Sequence, residues 1–340
     1  MITVVGDLRP YAWGRLDGLA RWTNATAGPQ AELWFGHVGE AARGGHPLLT
    51  KLLAAANPLS IQVHPSADVV ARMRADERAR DLLTDDVEKN EMLLALEPFT
   101  ALAGFRDAAT SARLLEGLGL RGPAASAAAG DHVALVRGLF ALSEVAADEA
   151  FRLLSDVIHG VLPAHERAAI ELVRAWYPHD RGVLVALCLA VHELSAGDAL
   201  YVPAGVVHSY VNGLGVEVMT ASDNVLRLGL TQKHVAVADG LAAMRDCGPT
   251  VVRGRTADGI VGYDAEGAPF TVTLASGTDI EVAVEAGAAA TVLCVEGTAV
   301  VECDGRTESL VPGRAALVAA RDGGAVVRVD GRTVVARVVA

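Results

Sequence analysis

The period of apolar and polar positions changes several times along this chain. Residues 1 to about 105 carry short apolar runs that alternate with polar positions and are broken by Gly and Pro, which predicts short strands joined by tight turns. From Asp107 to about His179 the spacing becomes three and four, in Ala-, Leu-, Glu- and Arg-rich stretches such as Asp131 to Val145, Asp148 to Ile158 and Ala164 to Tyr177, which predicts helices. Gly182 to about Thr231 returns to strand patterns, and His234 to Arg245 predicts a connecting helix. Beyond Cys247 the chain is rich in Val, Thr, Ala and Gly, with alternating stretches at Thr271 to Leu274, Thr291 to Val295 and Val326 to Val329. The expected fold is therefore mainly β with a helical insert. Its parts are a domain of residues 1–106 and 180–246, the insert 107–179, and a smaller C-terminal β-barrel or sandwich, 247–340.

At 340 residues and 51% hydrophobic, the chain exceeds what one core usually serves. The formal charge of −12 and the 4% aromatic content argue against a nucleic-acid surface, and no glycine-rich phosphate loop or dinucleotide fingerprint is present. The segment Met1 to Asp7 lacks the basic start and apolar stretch of a signal peptide, and apolar runs such as Val183 to Val191 are too short to span a bilayer. These features predict a cytoplasmic protein with no membrane partner, a monomer or weak homo-oligomer. Cys188, Cys247, Cys294 and Cys303 show no paired spacing and read as buried free thiols.

The stretch Gly197 to Asn212, GDALYVPAGVVHSYVN, is the most informative. A turn at Gly197–Asp198, a strand to Val202 and a bend at Pro203 and Gly205 return the chain with His208 facing inward. The Gly, Pro, Gly, His and Asn stand at the spacing of the second cupin motif, so the segment resembles a cupin hairpin and implies a metal site inside a β-barrel. Upstream, Ser60, Gln62 and His64 share one face of an extended segment while Ile61 and Val63 share the other. Glu91 opens the apolar run Met92 to Leu96, and a carboxylate entering a core needs a partner or a metal. Gln62, His64, Glu91 and His208 form a nitrogen and oxygen set without thiolate, suited to one Zn²⁺ per chain in a site with an open position.

From Tyr11 to about His234 the chain resembles the type I mannose-6-phosphate isomerases (phosphomannose isomerases). The resemblance runs from Tyr11-Ala12-Trp13-Gly14 through Ala31-Glu32-Leu33-Trp34, Lys51-Leu52-Leu53, Pro58 to Pro65, Lys89 to Glu91 and the cupin hairpin to Ser222-Asp223-Asn224-Val225-Leu226-Arg227 and Lys233. It places that family's zinc ligands on Gln62, His64, Glu91 and His208. It implies an enzyme interconverting mannose 6-phosphate and fructose 6-phosphate through a cis-enediolate, with a small sugar phosphate as partner and no redox cofactor.

On that reading Arg227, Lys89 and Asp223 are the catalytic candidates, with Lys89 first as the proton carrier because it lies two residues before Glu91. Ser60, Lys233, Trp13 and Glu32 are the substrate-binding candidates, and Glu217 is a further carboxylate that either moves the proton or orients a ligand. The chain departs from the family pattern at Glu88 and Asn90, which replace a His and a Pro, at Phe35 to Glu40, and at Gln232; these changes are expected to touch the pocket rim and substrate preference. The alternatives are a cupin isomerase for another aldose or aldose phosphate, or a non-catalytic sugar-phosphate-binding cupin. An iron or nickel oxygenase is disfavoured because Gln62 stands where a second His would be needed.

Overall fold

The computed structural model describes residues 1–24, 27–38 and 45–339. The thirteen-residue strand His208–Thr220 is the hub of an 11-stranded sheet. Its first half pairs with Phe99–Phe105 and, at His208, with Gln62; its second half pairs with Leu48–Ala55 on one side and Glu91–Ala95 on the other. The register slips between Tyr210 and Asn212, and Gly213 follows with a φ of 147°. A Cβ on Gly213 would lie 2.2 Å from the Phe99 ring, so only glycine lets the two strands approach as the chain turns between the two halves.

Leu48–Ala55 is buried along its whole length, because apolar side chains face both sides: Leu53 and Ala55 toward the site, Leu52 and Ala54 toward the second sheet. The strands do not close into the expected barrel; the sheet is open, with Asp7–Arg9 and Thr250–Arg253 among its edges. The second sheet has eight strands dominated by Phe270–Val284, Ala290–Cys303 and Ala325–Val338, far longer than their alternating cores predicted. The sheets exchange strands: Ile2–Val5 pairs with Arg314–Val318 in the second, and Thr250–Arg253 pairs with Asp198–Val202 in the first. Leu52, Val216, Tyr263, Phe270 and Val334 form part of the apolar layer between them.

Between the strands Phe99–Phe105 and Leu189–Leu194 the chain is helical. Ala108–Gly117, His132–Phe140 and Glu144–Val161 are capped by the side chains of Asp107, Asp131 and Ser143, each accepting a backbone N–H, a contact worth about 1 kcal/mol. The stretch read as one segment from Asp131 to Val145 is broken at Ala141–Ser143, where the Ser143 cap starts a new helix. Gly182–Leu187 is a helix and not the start of a strand, which resumes at Leu189; its six residues are all buried, and an apolar run buried on every side has no period to read. The helix Ala67–Ala75 also interrupts the region read as strands. No helix among the described residues is long and apolar enough to cross a membrane. Three cysteines are buried as expected, but Cys247 is exposed.

Candidate metal centre and active site

His64, Glu91 and His208 meet although 27 and 117 residues of sequence separate consecutive members. Strand pairing does this: Val202 lies opposite Glu91, His208 opposite Gln62, and Met219 again opposite Glu91. Both imidazoles are wholly buried and Glu91 is 1% exposed. Their candidate ligand atoms lie within 4.8 Å of one another.

The hydrogen bonding fixes the donor set. His64 Nδ1 donates to the Asn224 carbonyl at 3.0 Å, and His208 Nδ1 donates to the Val206 carbonyl at 2.9 Å. The Nδ1 of each ring is thus engaged with a carbonyl, and each Nε2 faces the Glu91 carboxylate, at 3.2 Å for His64 and 2.9 Å for His208. Burial, helped by the charge of Lys89, pushes the His64 pKa down to about 3, so its ring is neutral. His208 Nε2 is buried and, though close to Glu91 Oε1, is not aligned for a hydrogen bond. The lone pair of neutral His64 repels the carboxylate it faces unless a cation lies between them, and His208 Nε2 is buried beside them without a hydrogen-bond partner, so this set fits a divalent metal.

Burial works against the Glu91 carboxylate, but the Lys89 ammonium beside it favours the charged form, and its pKa lies well below the usual carboxylate range. Lys89 Nζ is 3.3 Å from Glu91 Oε2, and the Tyr210 hydroxyl donates to Oε1 at 3.1 Å. Burial, then the Glu91 charge, keeps the Tyr210 phenol protonated.

A pocket of about 630 Å³ opens over this cluster. Gln62, Glu91 and Lys89 lie at its floor, and Ser60, Trp13, Glu32, Asp223, Arg227 and Lys233 line its walls, so all of these sequence-derived candidates border one space with the two buried histidines beneath. Arg227 is half-buried, and burial lowers its pKa against the opposing charge of Asp223. Lys233 lies over the Tyr11 ring at 5.5 Å, and Tyr11 stacks on Trp13 at 5.7 Å.

Glu217 does not touch the ligand cluster by a hydrogen bond to histidine. It accepts a 2.7 Å bond from Lys51, whose ammonium also lies 3.7 Å from Glu32 and 4.9 Å over the Trp34 ring. Burial opposes the Lys51 charge, but Glu217 and Glu32 more than compensate and raise its pKa.

Glu88 and Asn90 face away from the pocket, contrary to expectation. Glu88 accepts the N–H of Ala67 at the start of the Ala67–Ala75 helix and a bond from Asn90, whose own carbonyl oxygen accepts from Tyr201 and Ala204. Alternation puts Lys89 and Glu91 inward, so the replaced positions between them serve the scaffold. Of the other departures, Gln232 does line the pocket, and Gly39 and Glu40 lie outside the described residues.

Four further pocket residues were missed. Lys51 carried a signal, a lone cation within an apolar strand, and so did Tyr210, which shares the inward face of His208 by two-residue alternation. Trp176 and Tyr177 reach the pocket from the last turn of the insert, and nothing in their local sequence marks them.

A buried His–Glu–His cluster under a polar pocket in a cupin-like β fold defines a metal-dependent enzyme site. A sequence profile for phosphomannose isomerase type I, catalytic domain, matches residues 30–108. The mannose-6-phosphate isomerase of Shigella flexneri is 30% identical over 92% of this chain and 93% of its own length, and that of Escherichia coli K12 is 29% identical over the same shares. A mutant phosphomannose isomerase from Salmonella typhimurium superimposes with a TM-score of 0.83 at 26% identity, covering 99% of both chains. A mannose 6-phosphate isomerase solved with zinc and yttrium superimposes at 0.81, with 25% identity and 98% of both chains covered. The chain belongs to the mannose-6-phosphate isomerase family and is an enzyme.

Proposed function

We propose that the protein is a zinc-dependent aldose–ketose isomerase that interconverts mannose 6-phosphate and fructose 6-phosphate through a cis-enediolate. The observation that carries the reading is the pair of buried imidazole Nε2 atoms facing Glu91 at the floor of a pocket whose wall holds Arg227 and Lys233. His64, Glu91 and His208, with Gln62 from the adjoining strand, hold one zinc ion. When bound, the ion polarises the sugar oxygens at the reacting carbons.

The chain's own residues do the rest. In the open-chain aldose a proton leaves C2 and returns at C1, while the proton of the C2 hydroxyl passes to the C1 oxygen. Lys89, on the pocket floor, carries the transferred proton. Arg227 offers a planar fork to the oxygen that gains charge, and Asp223 balances and orients that fork. Ser60 and Lys233 anchor the phosphate, which a chain of net charge −12 must capture by local cations rather than by its overall field. Trp13 and Glu32 complete the sugar-facing wall. The catalytic unit is residues 1–106 with 180–246, interrupted by the insert 107–179, and residues 247–340 support it without a metal set.

The test is fructose 6-phosphate formation from mannose 6-phosphate by the protein as purified, after chelation, and after zinc is restored. Turnover that vanishes on chelation and returns with zinc is the expected result. A folded, zinc-loaded protein that does not turn over this substrate would refute the reading.

A further inference from the structure

The last turn of the helical insert touches the pocket in two ways. Trp176 and Tyr177 line it, and the Tyr177 hydroxyl donates to the Pro58 carbonyl just before Ser60. Three residues further on, Asp180 uses both carboxylate oxygens: Oδ1 accepts the Gly182 N–H at 2.7 Å, and Oδ2 accepts the Thr231 N–H at 3.3 Å, across 51 residues of sequence.

Thr231 begins the segment that delivers Lys233. Its hydroxyl accepts the Lys233 backbone N–H at 3.0 Å, so the carboxylate and the lysine are joined through one residue. The backbone before it is strained and closely held. Leu230, wholly buried, has a φ of 54°, a conformation that is unfavourable for a non-glycine residue and persists only where its surroundings impose it. Gly229 packs against Gly182 so closely that a Cβ on Gly229 would lie 2.7 Å from the Gly182 Cα. The Gly229 carbonyl also accepts from Ile61, which ties the segment to the strand bearing Ser60 and Gln62. Leu230 to Lys233 all line the pocket.

We propose that Asp180 is a positioning residue for substrate: from the junction just after the helical insert it holds Thr231, and through Thr231 it sets Lys233 at the phosphate end of the pocket. The proposal rests on the reading of Lys233 as a phosphate anchor. It gives the junction where the insert returns to the catalytic unit a role in the reaction, away from the metal cluster.

The test compares the zinc-loaded full chain with Asp180→Asn, Lys233→Ala and the double variant, measuring kcat, KM for mannose 6-phosphate and bound zinc. Asp180→Asn keeps one acceptor oxygen and loses the other, so the loss of one hydrogen bond predicts a KM raised about fivefold, with kcat within about twofold and zinc content unchanged. Lys233→Ala raises KM at least as far, and adding Asp180→Asn to it raises KM no further.

An unchanged KM in Asp180→Asn, or multiplied effects in the double variant, overturns the positioning role. A fall in kcat and zinc together with the rise in KM overturns it too, since that marks a general loosening of the site. An unchanged KM in Lys233→Ala overturns the anchor reading itself. Should Asp180→Asn fail to fold, Thr231→Val removes only the hydroxyl that receives the Lys233 N–H; it is expected to raise KM alone, and a wild-type KM for it would overturn the relay.

Discussion

Asn224 accepts the Nδ1 hydrogen of His64 through its backbone carbonyl, at 3.0 Å, and neither residue has any exposed surface. The Asn224 side chain explains why that carbonyl stays in place. Its amide nitrogen donates to the Asp85 and Val87 carbonyls, and its oxygen accepts from the Thr84 and Asp85 backbones. A turn far from His64 in sequence thus decides which of its nitrogens faces Glu91.

Replacing Asn224 with Ala should therefore weaken metal binding without removing a ligand. Partners that orient ligating histidines typically account for about 10–100-fold in metal affinity. Zinc affinity, measured by competition with a chelator, is expected to fall in that range, and an affinity equal to wild type would mean that the turn is held by other contacts.

His64→Ala and His208→Ala remove donors outright. Each is expected to lose stoichiometric zinc on dialysis and at least about a hundredfold in kcat/KM, more than the orienting partner costs. Elemental analysis beside kinetics checks this; a variant with full zinc and normal turnover would exclude that histidine from the site.

Lys51 is 4% exposed and is the nearest cation to both Glu217 and Glu32. Lys51→Met leaves two buried carboxylates without their partner, and breaking a buried pair in this way costs about 3–5 kcal/mol. Urea denaturation is expected to show that loss, and Lys51→Met with Glu217→Gln should recover part of it. A single variant as stable as wild type would contradict the pairing.

His46 gives a pH dependence that does not involve the active site. Its Nε2 lies 2.9 Å from the Ala290 carbonyl and 3.2 Å from that of Val318, joining the chain before Leu48 to the second sheet. Burial lowers its pKa, against the pull of those carbonyls. The unfolded chain therefore takes up the proton first, so the stability His46 contributes is full above the ordinary value of 6.5 and is lost as the pH falls below it. Melting temperatures of wild type and His46→Gln between pH 8 and 5 are expected to converge in that direction. Parallel curves would show that the imidazole is not responsible.

Much of this site was legible before any fold was known. Two-residue alternation placed Ser60, Gln62 and His64 on one face and paired Lys89 with Glu91, and the punctuation from Gly197 to Asn212 set His208 on the returning strand. The same alternation, carried two residues further, would have found Tyr210. It would also have shown that Glu88 and Asn90 point outward.

Local sequence determined the element types and which residues share a face, because those follow from backbone periods that operate over a few residues. It could not say how far the C-terminal strands extend, that Ile2–Val5 joins the second sheet, or that Asp180 meets Thr231. Those facts depend on register and packing between segments brought together only when the apolar layers close. The neutral state of His64 and the charge of Lys51 belong to the same class: ordinary side chains whose behaviour is set by burial and by partners distant along the chain.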